Sequence, residues 1–268
     1  MDVDVVELRD FYASPLGTVA RRLVAKAVER IWPDARGHTM LGFGYAVPYL
    51  SAYRNSADRI VTFMPAAQGA VHWPRRGPNA AALVDKTSLP LQIGSIDRAI
   101  LAHALETADS PLALMEEIWR VLTPGGRIIV IVPNRRGLWT RMDTTPFGQG
   151  QPFSRSQLAR LMQASLFSAE TWGEALYIPP VPRRLALRSA VAWERIGAGL
   201  SLPFAGVHVM EAVKQLYRPV VARELRKSAR IAPVFVPAHP AQSTLPRRAA
   251  PHDSPAGCDA TGLSAPLT

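Results

Sequence analysis

Apolar and charged positions alternate at helical spacing through residues 4 to 32. Val5, Val6 and Leu8 lead in, and Leu16, Val19, Ala20, Leu23, Val24, Ala27 and Ile31 then recur every three to four residues. Arg21, Arg22, Lys26 and Glu29 take the opposite face, so the pattern predicts amphipathic helix up to Pro33. From about residue 38 the period changes. Short apolar runs at Thr39–Leu41, Arg59–Met64, Ala81–Val84, Arg98–Ala102 and Arg127–Val132 are separated by helices or long connections. Unbroken apolar strands of this kind predict a parallel sheet covered on both faces, an α/β Rossmann-like architecture. Ile128-Ile129-Val130-Ile131-Val132 is the clearest, because β-branched side chains pack well on a pleated surface.

The helix before that strand is equally legible. Ser110-Pro111 supplies an N-cap with proline at the first helical position, and Leu114, Met115, Ile118 and Val121-Leu122 form one face. Thr123-Pro124-Gly125-Gly126 ends it. Residues 137–152 read as a long loop, Ser154 as the cap of a helix to about Phe167 with Leu158, Leu161, Met162 and Leu166 inward, and 169–178 as a sixth strand. Residues 182–226 read as helical around a break near Pro203, and Ile231–Val236 as a last short strand. The Pro-, Ala- and Ser-rich stretch 237–268 predicts disorder. The expected organisation is N-terminal helices over 1–36, a Rossmann-like core over 37–178, a helical cap with the last strand over 179–236, and the tail.

Composition narrows the function classes. One cysteine, Cys258, allows no internal disulfide and no Cys-based zinc site. No uncharged apolar run reaches the roughly 18 residues of a membrane span. The longest weakly polar stretch, 196–210, is interrupted by Pro203 and three glycines. An acidic start, Met1-Asp2-Val3-Asp4, does not resemble a signal peptide, and the expectation is a cytoplasmic protein. The net charge is +10, dominated by arginine. Basic residues never run beyond two in a row and aromatics are not interleaved with them, so nucleic acid is not favoured as a partner. Peripheral contact with an anionic membrane stays open.

Candidate chemistry starts at Leu41-Gly42-Phe43-Gly44-Tyr45-Ala46, where glycines after the first strand let the backbone approach a ligand or another segment closely. A second series is more specific. Val84-Asp85-Lys86 with Leu89-Pro90, then Ser95-Ile96-Asp97 through Ala102-His103-Ala104-Leu105-Glu106, then Thr123-Pro124-Gly125-Gly126, then Pro133-Asn134-Arg135 follow in one order. This series resembles the class I S-adenosylmethionine-dependent methyltransferases of the type 11 group, over about residues 38–168.

The resemblance implies S-adenosylmethionine as cofactor and a small-molecule methyl acceptor. It implies that Gly42, Phe43 and Gly44 line the methionine moiety and that Asp85 accepts from the adenine amino group. Met64, Lys86, Ala102 and His103 complete the implied cofactor site. A carboxylate suits the adenine contact because it only accepts, while the amine only donates. Two positions depart from the pattern. Met40 stands where the family carries an acid toward the cofactor's ammonium end, and Phe63-Met64-Pro65 where it carries the acid that binds the ribose. These departures leave a second reading open, a non-catalytic methyltransferase-fold protein acting as a binding or regulatory module. No metal is implied.

Methyl transfer from a sulfonium needs alignment and exclusion of water, and a base only when the acceptor loses a proton. His103 is the candidate base, because its ordinary pKa lies near neutrality. The alternative is that it only caps the strand. Glu106 reads as a helix-start or solvent-facing residue, and Asp97 as a structural hydrogen-bond acceptor. Trp139, Phe147, Phe153, Trp172 and Tyr177 form either an acceptor lid or core under the C-terminal segment. His72-Trp73-Pro74 and Arg75-Arg76 read as a surface loop, with contact to adenine or an anionic substrate as the alternative.

Overall fold

The computed structural model describes residues 3–181 and 204–217. The helical material expected over 182–203, the strand at Ile231–Val236, the tail and Cys258 lie outside the described residues.

Two helices open the fold. Asp4 caps α1 (Val5–Ala13) by accepting from the Val6 amide at 2.6 Å, and Val5, Leu8 and Tyr12 face inward. Ser14 ends α1 and caps α2 (Pro15–Ile31), with Pro15 at the first helical position. The helical stretch expected over 4–32 is therefore two helices divided at Ser14-Pro15. A Cβ on Gly17 would overlap the Phe11 carbonyl, so the glycine lets the two helices turn tightly on each other.

The sheet is built from β1 (Thr39–Gly44), β2 (Arg59–Pro65), β3 (Ala81–Val84), β4 (Ile96–Ala102), β5 (Leu122–Pro133), β6 (Phe167–Ala175) and β7 (Val207–Lys214). Their order is β3-β2-β1-β4-β5-β7-β6. β1 to β5 pair in parallel, while β7 runs antiparallel to both β5 and β6. The strand at 207–214 corrects the helical reading of that stretch. His208, Glu211 and Lys214 recur every third residue among apolar ones, which imitates a helix face. In the sheet all three are buried instead, with Glu211 and Lys214 hydrogen-bonded across the strands and His208 facing Glu174 at 3.4 Å.

One face of the sheet is covered by α1, α2 and the short α3 (Val47–Leu50), the other by α4 (Pro111–Val121) and α5 (Arg155–Ala164). Ser110 caps α4, and a reciprocal Ser154–Gln157 capping box opens α5. α5 ends three residues earlier than expected, because Leu166 turns left-handed at φ 60°. Asp97 is structural, as expected. Its two oxygens accept from the Thr39 amide at 2.8 Å and the Thr123 hydroxyl at 3.3 Å, which ties β1, β4 and the Pro-Gly-Gly turn together.

Candidate functional site at the carboxyl edge of the sheet

In a sheet of this order, β2 and β4 leave β1 in opposite directions, and the crevice between the ends of β1 and β4 is where open α/β sheets bind ligands. Gly42, Phe43, Gly44, Ala102 and His103 all meet there and are all buried. The glycines serve internal packing first. A Cβ on Gly44, where φ is 73°, would overlap the Ala102 carbonyl, and one on Gly42 would overlap the Leu50 side chain. The Tyr45 amide donates to the Ala102 carbonyl at 2.8 Å, and the buried Gln68 amide group donates to the His103 carbonyl at 3.3 Å.

α1 lies across this edge. Its first amide, on Val5, donates to the Gln68 carbonyl just past β2 at 2.8 Å. Near its last turn, the Tyr12 hydroxyl lies 2.8 Å from His103 Nε2, just past β4. A nine-residue helix is about 13 Å long, enough to cross the roughly 10 Å between strands two places apart. The Tyr12 ring stacks on Tyr45 at 5.5 Å and its hydroxyl also bonds Tyr49 at 2.9 Å. Tyr12, not a methionine or phenylalanine of the strands, occupies the switch point. Met40 and Met64 are packed into one core face and Phe63 into the other.

His103 is 2% exposed and adopts φ 51°, a left-handed conformation costing on the order of 1–3 kcal/mol for a residue with a side chain. Its Nδ1 lies 3.3 Å from Glu106 Oε1, but the two are not aligned to hydrogen-bond, and both atoms lack a partner. Glu106 Oε2 accepts from the Ala104 amide at 3.1 Å. Glu106 is 3% exposed, which corrects its solvent-facing reading: the Glu106 carbonyl also accepts from the Gln151 amide, so the 137–152 loop closes over it. Burial, then the neighbouring Tyr49, push the Tyr12 phenol well above its ordinary pKa, so Tyr12 stays protonated. The sequence showed no signal for Tyr12, whose partner lies 91 positions away.

The other predicted residues divide. Asp85 is exposed beyond β3, and its Oδ1 accepts from the Thr87 hydroxyl at 2.6 Å and amide at 2.7 Å. Those bonds hold its carboxyl below the usual range. The Lys86 ammonium donates to the Thr107 carbonyl at 3.0 Å, bridging the loops after β3 and β4. Phe147 packs 5.0 Å from the His103 ring and 5.5 Å from Trp139, so these two aromatics join the crevice. Phe153 and Trp172 pack on the opposite core face, and Tyr177 donates to Glu174 at 2.9 Å. Among the described residues no group of His, Cys, Asp and Glu could hold a metal, and no helix is long and apolar enough to cross a membrane.

Residues 41–130 match the family model described as a methyltransferase domain. The fold is shared with an S-adenosylmethionine-dependent methyltransferase from Thermotoga maritima, described as a possible histamine N-methyltransferase. That likeness has TM-score 0.56 and 19% identity, and covers 79% of this chain and 96% of that one. A methyltransferase from Mesorhizobium loti aligns with TM-score 0.50 at 13% identity over 70% and 96% of the two chains. The 4+2 cyclase SpnF aligns with TM-score 0.51 at 19% identity over 74% and 82%. No curated protein matches the sequence. Residues 41–130 are thus similar to a methyltransferase domain, and the fold is one shared with proteins that use S-adenosylmethionine as cofactor.

The residues fit that cofactor unevenly. Asp85 offers a carboxylate at the mouth, and the partnerless Gln68 Oε1, His103 Nδ1 and Glu106 Oε1 are buried polar atoms that a polar ligand would satisfy. No acid stands at Met40 or along Phe63-Met64-Pro65, and Tyr12 covers the switch point.

Proposed function

We propose that this chain transfers methyl groups from S-adenosylmethionine to a small-molecule acceptor, with α1 as the cover of the crevice. The observation that carries the reading is the buried cluster of Glu106, His103 and Tyr12 at the end of β4, beside a segment similar to a methyltransferase domain. When bound, the cofactor supplies a methyl group already activated on sulfur. Asp85 and the glycine turn would hold it, and Lys86 would close the slot beside Thr107.

The protein's own work is positioning and proton handling. In this reading Glu106, 3.3 Å from Nδ1 of His103, favours the proton on that nitrogen and leaves the Nε2 lone pair toward the crevice. In this reading Tyr12, whose hydroxyl lies 2.8 Å from Nε2, donates to that lone pair and masks it while α1 covers the crevice. With Tyr12 withdrawn, Nε2 is free to take a proton from an acceptor hydroxyl or amine. Phe147 and Trp139 form the apolar wall that excludes water.

The second reading, a non-catalytic binding module, is favoured by Tyr12 in the switch point and by the apolar Met40 and Met64. Calorimetric titration of S-adenosylmethionine into the full chain and into Tyr12→Phe separates them. Loss of one hydrogen bond of about 1 kcal/mol from the closed state should tighten binding about fivefold. Asp85→Ala should weaken it. No heat in any of the three proteins at millimolar cofactor would remove the enzymatic reading.

A further inference from the structure

On the flank of the fold, beside the crevice, lies an open groove of about 710 Å³. Four arginines line it, each from a different segment: Arg9 from α1, Arg21 from α2, Arg54 from the turn after α3, and Arg75 from the β2–β3 connection. His72 joins them, and no aspartate or glutamate is in the lining. Arg9 is paired with Asp10 at 2.9 Å. Arg21, Arg54 and Arg75 are exposed and form no ion pair among the described residues.

The groove has a built floor. Trp73 is buried in the core face that includes α1, α2 and α3, its amide donates to Asn79 at 3.1 Å, and its carbonyl accepts from Ala80 at 2.7 Å. This clamps the segment that presents His72 and Arg75. The other wall is the buried Tyr45, whose hydroxyl has no hydrogen-bond partner among the described residues. Burial pushes that phenol's pKa up, and the charges of Arg75, Arg9 and Arg21 oppose it, so guanidinium groups from three segments act on the same spot.

Arginines gathered without carboxylates repel one another unless an anion sits between them. Guanidinium forks match phosphate oxygens in pairs, and a concave site takes a compact anion better than a flat one does. We propose that this groove binds a phosphate group, held by Arg21, Arg54 and Arg75 with the Tyr45 hydroxyl as a further donor. The site does not depend on methyl transfer.

The test is calorimetric titration of the full chain with tripolyphosphate at about 10 mM ionic strength, where charges act over about 30 Å. Cosedimentation with phosphatidylcholine vesicles containing phosphatidylglycerol runs beside it. Removing three charges in Arg21→Gln/Arg54→Gln/Arg75→Gln should weaken binding about tenfold or more. Removing the same charge elsewhere, in Arg30→Gln/Arg59→Gln/Arg160→Gln, should weaken it less than about threefold. Arg54→Gln alone should give an intermediate loss, so a fold defect in the triple variant, read by circular dichroism, leaves the result interpretable. Heat without cosedimentation assigns the phosphate to a soluble compound, and cosedimentation without heat assigns it to a lipid headgroup. Equal losses in the two triple variants, or no binding in either assay, overturn the site.

Discussion

Buried polar groups are treated differently at two ends of this molecule. Along β6 and β7 most are satisfied. Glu211, 5% exposed, accepts from Trp32 Nε1 at 2.9 Å, Arg127 at 2.8 Å and the Thr171 hydroxyl at 3.0 Å. Lys214 donates to the Leu122 carbonyl at 2.6 Å and lies over the Trp119 ring at 4.0 Å. Glu174 accepts from Tyr177 and faces His208 at 3.4 Å, in register across the two strands. At the carboxyl edge, by contrast, Gln68 Oε1, His103 Nδ1 and Glu106 Oε1 are left without partners. His208 is the exception on the satisfied side, since neither of its ring nitrogens makes a geometrically sound hydrogen bond. A satisfied buried charge fixes a fold, whereas an unsatisfied cluster is a cost that a ligand can relieve.

The largest effect expected from this contrast is at Glu211. Glu211→Ala strips the acceptor from three donors and should destabilise by about 3 kcal/mol, or a melting shift of about 6–12 °C. A shift under about 2 °C would mean that the β7 network is not structural.

Glu106→Gln should behave oppositely. Its Oε1 has no hydrogen bond to lose, and the amide oxygen can still accept from Ala104, so stability should stay within about 1 kcal/mol. The rate of methyl transfer should fall, because His103 loses the charge that orients it. A loss of stability as large as that of Glu211→Ala would erase the contrast.

The smallest effect is on pH. At Glu211 burial raises the carboxyl pKa, but the bonds from Trp32, Arg127 and Thr171 outweigh it and the net shift is downward. Glu174 is lowered by His208 and then Tyr177, against burial. Both folded values lie below the unfolded value of about 4.3, so their stabilisation is complete above that pH and fades as pH falls through the folded values. Denaturation midpoints between about pH 6 and pH 3 should fall less steeply in Glu174→Gln/Glu211→Gln than in the parent, and parallel curves would refute the assignment.

Local sequence was enough for the parallel part of the sheet. Strands β1 to β4 lie within a few residues of their apolar runs, and Ser110-Pro111 and Ser154 cap the helices they announce. β7 was not legible, because its polar residues recur every third position and only the neighbouring strands show that they are partnered inward. The glycine turn and the β4 end were legible as neighbours, since both follow strands that the topology must bring together. Glu106 was misread, because its burial comes from Gly150 and Gln151 on a loop more than forty residues later.

The sequence by itself determined where chain segments become strand or helix, because periodicity records burial within one element. Only the tertiary structure decided that Tyr12 lies on His103, that Glu211 gathers Trp32, Arg127 and Thr171, and that four arginines share one groove. Those meetings span up to 179 positions, and they are set by strand order and register, which no local window contains.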